Sequence, residues 1–420
     1  MGAGRHRRAT VMVSMPRDTV LVLDGQTNQA LACVRSLGRA GYRVLVASHR
    51  RAPLAAWSRH CERRFRLAGE TIAAFAMLRR WALEQGVRYV LPTTERSCFL
   101  CNAERDQWEA NGVTVGCAPD ETLLRTFDKA RTLEYAERCG VTIPPTRFPT
   151  SLAECRAAAQ DLGFPLVVKG RFGNAWDGVR FLEDSGVRYV RTADELEAAI
   201  LAQTQGEHWP LVQGFVAGRG KGVFALCETG RAVAWFAHER LRDVRPTGSG
   251  SSLRRAVALD ARLRAPAERL LAALEWHGPA MVEFRDDGVG PPCLMEVNGR
   301  FWGSLQLAIT AGVDFPRLWL AILRGEPVPP APGYAEGATV RWLWGDVKRF
   351  LHIVAGRPRA YPDPYPTIRQ GLAELFGRQP AGTRLETWES SDPGPAVGEW
   401  TQGIGDLLAL LQRRRVAARV

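Results

Sequence analysis

No run of about eighteen apolar residues, the length a membrane-crossing helix needs, occurs in the 420-residue chain. The basic start, with Arg5, Arg7 and Arg8 in MGAGRHRRAT, leads into no apolar segment long enough for secretion. Residues 1–18 therefore read as a disordered leader, the expected location is cytoplasmic, and no membrane partner is expected. A dinucleotide fingerprint is also missing, because the first strand-like run ends in Asp24-Gly25-Gln26-Thr27-Asn28 and not in G-x-G-x-x-G. Of nine cysteines only Cys98 and Cys101 form a C-x-x-C, with no second pair and no neighbouring His to complete a zinc site. An odd number of scattered thiols fits small buried side chains better than a metal or redox role. No aromatic-basic RNA motif accompanies the net charge of +12. The basic residues are spread over the chain, with local clusters only at 5–8, 59–66 and 412–419. Such a field suits small anionic ligands, and no nucleic-acid partner is expected. No internal repeat is visible.

What is present is an alternation of strand-like and helix-like segments. Strands are expected at residues 19–23, 43–47, 89–92 and 113–116, and helices at 30–40, 72–84 and 97–110, which implies a parallel, doubly wound sheet. After a helix at 129–139, Pro144-Pro145 breaks the chain and the pattern changes. Helices at 153–162, 195–203 and 263–274 are interspersed with strands at 165–169, 211–215, 222–228 and 232–238, an α+β block. A proline-rich stretch at 327–332 precedes a tail rich in Trp and Pro, whose last amphipathic helix is expected to start at 404–411.

The most informative segment is residues 294–304, LMEVNGRFWGS. Alternate residues of a strand share a face, so Glu296, Asn298 and Arg300 point one way while Val297 points into packing. Upstream, AMVEF at 280–284 sets Glu283 between apolar neighbours. Alone, these segments also fit amphipathic strands whose acids face solvent. If the two carboxylates converge they call for a cation. Two acids and an amide oxygen, without Cys or His, suit Mg²⁺ far better than zinc, and Mg²⁺ in turn suggests a nucleoside triphosphate.

Taken in order, Lys129, Lys169, the segment Val212-Gln213-Gly214-Phe215-Val216, Arg240, Glu283, Glu296, Asn298 and Arg300 resemble the ATP-grasp superfamily of ATP-dependent ligases. The resemblance covers about residues 117–323, and its strength lies in the ordered combination. It implies an α/β and α+β chain with a Rossmann-like, pre-ATP-grasp domain at 19–119. A two-subdomain ATP-grasp domain at 120–326 and a C-terminal extension at 327–420 would follow. It implies that Lys129, in TFDKART, contacts an α-phosphate and that Lys169 faces the phosphates from a strand end. The glycine-rich phosphate loop would fall at 170–178, GRFGNAWDG, which is poor in glycine and carries Phe172 and Trp176. Gln213 would reach the adenine amino group, with backbone groups of Gly214 and Val216 completing the base contact. Gly218 to Gly222 is either a hairpin turn or a phosphate-facing loop.

By the same resemblance, Arg240 would lie near the transferred phosphoryl group, with Arg242 beside it on the same face. The loop at 247–252, TGSGSS, would offer donors to anionic oxygens. His238 is given no catalytic role. Glu283, Glu296 and Asn298 would hold Mg²⁺, and Arg300 would fork onto a carboxylate or the tetrahedral intermediate. The implied activity is an ATP-dependent carboxylate-amine ligase that uses ATP and Mg²⁺, passes through an acyl phosphate and releases ADP and phosphate. Its partners would be a small carboxylic acid and an amine, and a homodimer is compatible with it. The alternatives are an ATP-grasp carboxylase or other carbon-nitrogen ligase, a non-catalytic ATP-binding protein and, last, a nucleic-acid binder. Specificity is expected from the Rossmann-like domain, from residues 301–304 and from the Trp-rich segment 340–347, with Trp302 either core or pocket wall.

Overall fold

The computed structural model describes residues 18–176, 181–182, 186–204, 206, 208–248, 250–329 and 333–417. Residues 1–17 of the expected leader, with its basic cluster, lie outside the described residues. So do Asp177 and Gly178 of the glycine loop, Ser249 of the second loop, residues 330–332 and the side chains of the 412–419 cluster.

The first sheet is parallel, in the order Cys61–Arg66, Arg43–Ser48, Thr19–Val22, Val87–Leu91, Thr114–Val115. All of Thr19–Val22 is buried, as a central strand covered on both faces must be. Its alternate residues serve two cores: Leu21 packs with Phe75, Leu78 and Trp108, while Val20 and Val22 join Leu31, Val34 and Trp319. Strand order reverses beside Thr19–Val22, so a crevice opens where Thr19–Val22 and Val87–Leu91 end. There the buried Asp24 carboxylate accepts from Thr93 N at 3.0 Å, Thr93 Oγ1 at 3.1 Å and Ser97 Oγ at 2.6 Å. That fixes the loop from which Glu95 starts the helix Glu95–Ala103.

Two expectations need correction here. The helix expected at 97–110 is two helices, Glu95–Ala103 and Arg105–Glu109, broken at Glu104. The basic cluster at 59–66 is an edge strand, Cys61–Arg66, whose apolar period is hidden because Arg63, Arg64 and Arg66 are all exposed. Charge along a free edge discourages pairing with another chain.

Two antiparallel sheets follow. The smaller runs Val187–Val190, Leu166–Lys169, Leu211–Gly214, Thr146–Arg147. The larger runs Cys293–Asn298, Gly278–Asp286, Arg219–Glu228, Arg231–Asp243, Ser251–Ala256, Thr339–Arg341, Arg384–Leu385, with only the last pair parallel. The expected Gly218 to Gly222 turn is mostly strand. Gly218, at φ +113, redirects the chain where a Cβ would stand 2.7 Å from the Asp286 backbone. The last helix, Gly394–Ala417, begins ten residues before the expected start at 404, because its early glycines, Gly394, Gly398 and Gly403, mask the helical pattern. Each of those glycines lies against Trp57 or Trp344.

The chain after residue 327 does not stand apart. Thr339–Arg341 extends the large sheet through Ser251–Ala256. Further on, the chain crosses to the Rossmann-like region, where Arg35 is fully buried. Its guanidinium donates to the Asp392 carboxylate at 2.8 Å, to Thr387 O at 2.8 Å and to Asp392 O at 2.9 Å. Glu386 joins the same lock, accepting from Asn28 at 3.1 Å and pairing with the buried Arg254 of the large sheet. Removing one partner of a buried pair strands the other charge, whereas an exposed pair contributes little. Arg35→Met should therefore cost about 3–5 kcal/mol in urea unfolding. Arg39→Met, which loses only the exposed pair with Glu389, should cost under about 1 kcal/mol. Equal losses would show that the lock contributes no more than a surface pair.

Candidate functional site between the two antiparallel sheets

The side chains of the two antiparallel sheets enclose a cavity of about 680 Å³. It is lined by Lys129, Lys169, Gln213, Gly214, Val216, Arg240, Glu283, Glu296, Asn298 and Arg300, so the ten residues expected to hold nucleotide, metal or the moving phosphoryl group face one space. The strand register explains how. In the antiparallel pair Gly278–Asp286 and Cys293–Asn298, Glu283 is the direct partner of Glu296 and Met281 of Asn298. Val297, between the two polar residues, is 4% exposed and joins the core.

Like charges placed opposite each other across strands repel, so this pair persists only with cations beside it. Glu283 is paired with Arg240, which also lies 3.5 Å from Asp243. Burial pushes the Glu283 carboxyl up, and Arg240 opposes that rise. Glu296 goes the other way. Burial would raise it, but the Asn298 hydrogen bond at 2.9 Å and the charges of Lys129, Lys169 and Arg300 hold it below the ordinary range. Arg300 in turn donates to Asn298 Oδ1 at 2.9 Å and to Phe301 O at 3.0 Å.

Lys169 ends the strand Leu166–Lys169 and makes no ion pair among the described residues. Burial lowers its pKa from 10.5 to about 8, with Lys129 adding to the fall and Glu296 and Glu283 resisting it. Lys129 begins the helix Lys129–Arg138, capped by Asp128, and its Nζ donates to Gly170 O at 3.2 Å. Asp128 also binds Arg171 at 2.9 and 2.7 Å, which ties that helix to the loop after Lys169.

Gln213 is 2% exposed, and its amide orientation follows from its neighbour. The Thr146 hydroxyl donates to Pro144 O at 2.7 Å, so it must accept from Gln213 Nε2 at 2.9 Å. That leaves Gln213 Oε1 as the free acceptor. The Val216 N–H makes no hydrogen bond among the described residues, while its carbonyl accepts from Arg285 at 3.0 Å. The edge of the cavity thus offers one acceptor and one donor a few residues apart.

Other expectations change. Arg242 does not share the face of Arg240: the register shifts between them, and Arg242 pairs with Asp346 at 2.7 Å. Phe301 and Trp302 are each 1% exposed, and Trp302 packs on Phe224 and Phe315, so both are core. In the 340–347 segment Val340 is buried, Trp342 donates to Glu399 at 2.5 Å and Trp344 packs on Trp400, so the segment lines nothing here. His238 is buried, neutral and edge-on to Phe224, consistent with no catalytic role. Thr247, Gly248 and Gly250 do line the cavity, held by Tyr189 OH donating to Thr247 O at 2.9 Å.

Sequence reasoning missed Glu95, Arg285, Tyr189, Tyr361 and Asp363, all of which line the cavity. Arg285 carried a signal, since it follows Glu283 by two along the same strand. The others come from segments distant in sequence. Among the described residues no three His, Cys, Asp or Glu side chains form a metal cluster. Two carboxylates and an amide nevertheless match a cation that takes its remaining ligands from water and phosphate, as Mg²⁺ does.

Two antiparallel sheets around a charged cavity, behind a parallel sheet, define the ATP-grasp fold. Residues 211–345 match the model of a family described as ATP-grasp in the biosynthetic pathway with Ter operon. D-alanine–D-alanine ligase of Ectopseudomonas mendocina (strain ymp) is 30% identical over 214 residues, 47% of this chain and 64% of that protein. The large chain of carbamoyl phosphate synthase from Deinococcus radiodurans is 27% identical over 201 residues, 46% of this chain and 19% of its own length. The chain spans less than two thirds of the curated relatives it matches. Among solved structures, the biotin carboxylase domain of Hydrogenobacter thermophilus 2-oxoglutarate carboxylase, with MgADP, ADP and bicarbonate, superposes with TM-score 0.60 at 18% identity. The match covers 77% of this chain and 73% of that one. The ADP complex of purK, N5-carboxyaminoimidazole ribonucleotide synthetase, gives TM-score 0.59 at 15% identity over 76% and 80%. The chain therefore has an ATP-grasp fold and, over the matched stretches, is similar to ATP-grasp ligases.

The Lys169 shift carries a stability consequence. A lysine at about 8 in the fold and at its ordinary 10.5 when unfolded binds its proton more tightly in the unfolded chain, so stability rises with pH between those values. Lys169→Met should stabilise the unliganded protein at pH 7 by roughly 1–3 kcal/mol and flatten that rise, measured by thermal unfolding from pH 7 to 10. A variant less stable at pH 7 would show that the ammonium is held without strain.

Proposed function

We propose that this protein is an ATP-dependent carboxylate-amine ligase forming an amide or peptide-like bond. The observation that supports it most is the single cavity in which Glu283 and Glu296 oppose each other while Lys129 and Lys169 face them. Gln213 Oε1 and the Val216 N–H match an adenine edge, with its amino donor and ring-nitrogen acceptor. Guanine presents a carbonyl where adenine has the amine. MgATP should therefore raise the melting temperature more than MgGTP does, and equal shifts would remove the adenine assignment.

In the proposed reaction the nucleotide lies along the cavity with its phosphates toward Lys169 and Lys129, two point charges suited to phosphate oxygens. Glu283, Glu296 and Asn298 would hold Mg²⁺, which neutralises charge on the phosphates and polarises the γ-phosphoryl group. With a cation held there, Glu283 would share its carboxylate between the cation and Arg240, and the Arg240 guanidinium would face the moving phosphoryl oxygens. An oxygen of the substrate carboxylate attacks the γ-phosphorus, the bond to ADP breaks, and an acyl phosphate forms. The neutral amine nitrogen then attacks the acyl carbon, the carbon–oxygen bond to phosphate breaks, and the nitrogen gives up a proton to the departing phosphate. Arg300 is placed to stabilise the anionic carbon centre. No protein nucleophile takes part, and the buried, neutral thiols and His238 offer none.

With ATP, Mg²⁺ and hydroxylamine, a panel of carboxylic acids including bicarbonate should yield ADP, phosphate and, for an accepted organic acid, its hydroxamate. Glu296→Gln should lower that turnover by about a hundredfold or more, in line with losing an electrostatic element of a transition state, while the variant still unfolds cooperatively. Release of AMP and pyrophosphate would overturn the acyl-phosphate route. A requirement for bicarbonate would redirect the reading to carboxylation.

A further inference from the structure

One carboxylate in the cavity has no place in the chemistry above. Glu95 comes from the Rossmann-like region, at the crevice where Thr19–Val22 and Val87–Leu91 end. It reaches into the cavity beside the phosphate-facing groups. Arg300 lies 3.7 Å from its Oε1, and Asn174 donates to its Oε2 at 3.0 Å. Gly173 separates it from Lys129: a Cβ there would stand 3.1 Å from Glu95 Oε2 and 4.0 Å from Lys129 Nζ. A carboxylate in that position repels polyphosphate and needs a cation to offset it. Among the described residues Glu95 forms no cluster with Glu283 and Glu296. Arg300 meets the need only in part, since it also serves Asn298 Oδ1 and Phe301 O.

We propose that Glu95 receives the incoming amine in its ammonium form, such as the α-ammonium of an amino acid, which then releases a proton to water so that the neutral nitrogen can attack. The assignment rests on the ligase reading and assigns the residue that binds its second substrate. When Arg300 turns to the anionic acyl centre, Glu95 loses its partial counter-ion and presents a carboxylate on the side of the cavity that opens to the crevice. The amine then enters from the Rossmann-like side, opposite the nucleotide hinge at Gln213 to Val216. Asn174 holds the carboxylate in place and Gly173 keeps the approach clear.

The test compares two nucleophiles on the same acyl donor in full-length wild type, Glu95→Gln and Glu95→Asp. Hydroxylamine, neutral at pH 7.5, is one, and each of the twenty protein amino acids is the other, with phosphate release and product mass as readouts. Glu95→Gln keeps an oxygen for Asn174 and removes only the charge. The ratio of amino-acid-dependent to hydroxylamine-dependent release should fall about tenfold or more, as expected for loss of a charge-assisted contact. The loss should appear in the KM for the amino acid, with Glu95→Asp partly restoring the ratio and MgATP still raising the melting temperature of each variant. An unchanged ratio overturns the proposal, as does a parallel loss of both nucleophiles or a wild type that makes hydroxamate but accepts no amino acid. Absence of hydroxamate from every acid is a different result, because it removes the ligase reading itself.

Discussion

Glu283 and Glu296 face each other across neighbouring strands, and much of the cavity is organised by that repulsion. The cations nearby answer it. Arg240 pairs with Glu283, Asn298 hydrogen-bonds Glu296, Arg300 holds Asn298, and positive potential comes from Lys169 on the smaller sheet and from Lys129 at the start of its helix. The answer is unequal, which is why burial wins at Glu283 while the surrounding donors and cations win at Glu296. Over the whole lining, seven Lys and Arg side chains face five Asp and Glu, so the cavity carries an excess of positive charge that suits an anionic ligand.

The architecture keeps the charges in register by locking distant parts of the chain together. Arg35 and Asp392 join the first helix to the last segment, and Glu386 bridges Asn28 to Arg254 of the large sheet. Arg300 leaves that sheet toward Glu95, so a shift of the Rossmann-like region against it would move Glu95 relative to the strand Cys293–Asn298. The C-terminal segment also reaches the cavity directly. Tyr361 packs edge-on against Tyr189 at 4.9 Å, and Asp363 lies 3.9 Å from Arg285, which itself caps the Val216 carbonyl. The tail is thus wall and fastener at once.

Much of this was legible in the sequence, for identifiable reasons. The parallel sheet announced itself through short β-rich runs separated by helical spacing. The acidic strands were legible because period-two alternation places Glu296 and Asn298 on one face and Val297 on the other, and the register then aligned them with Glu283. What failed depended on geometry that no local pattern carries. A register shift between Arg240 and Arg242 reversed the expected neighbour, and only cross-strand pairing reveals it. Arginines along Cys61–Arg66 erased its apolar period. Phe301 and Trp302 read equally as core or wall, and the choice fell to what packs on them, Phe224 and Phe315, which are distant in sequence. Glu95 carries no mark in its local sequence, and only the fold brings it to Arg300.

Lys169 shows how such a site trades stability for reactivity. Its ammonium sits where burial disfavours charge, and the two glutamates are too weak a counterweight to restore its ordinary value. A lysine already paired would have to break that pair to meet a phosphate, and the gain on binding would shrink accordingly. Held unpaired, Lys169 has its desolvation already met by the folded chain, so under the proposed function an arriving phosphate would find a cation with little left to reorganise. The cost falls on the empty protein, and the buried lock around Arg35 is one of the features that lets the fold bear it.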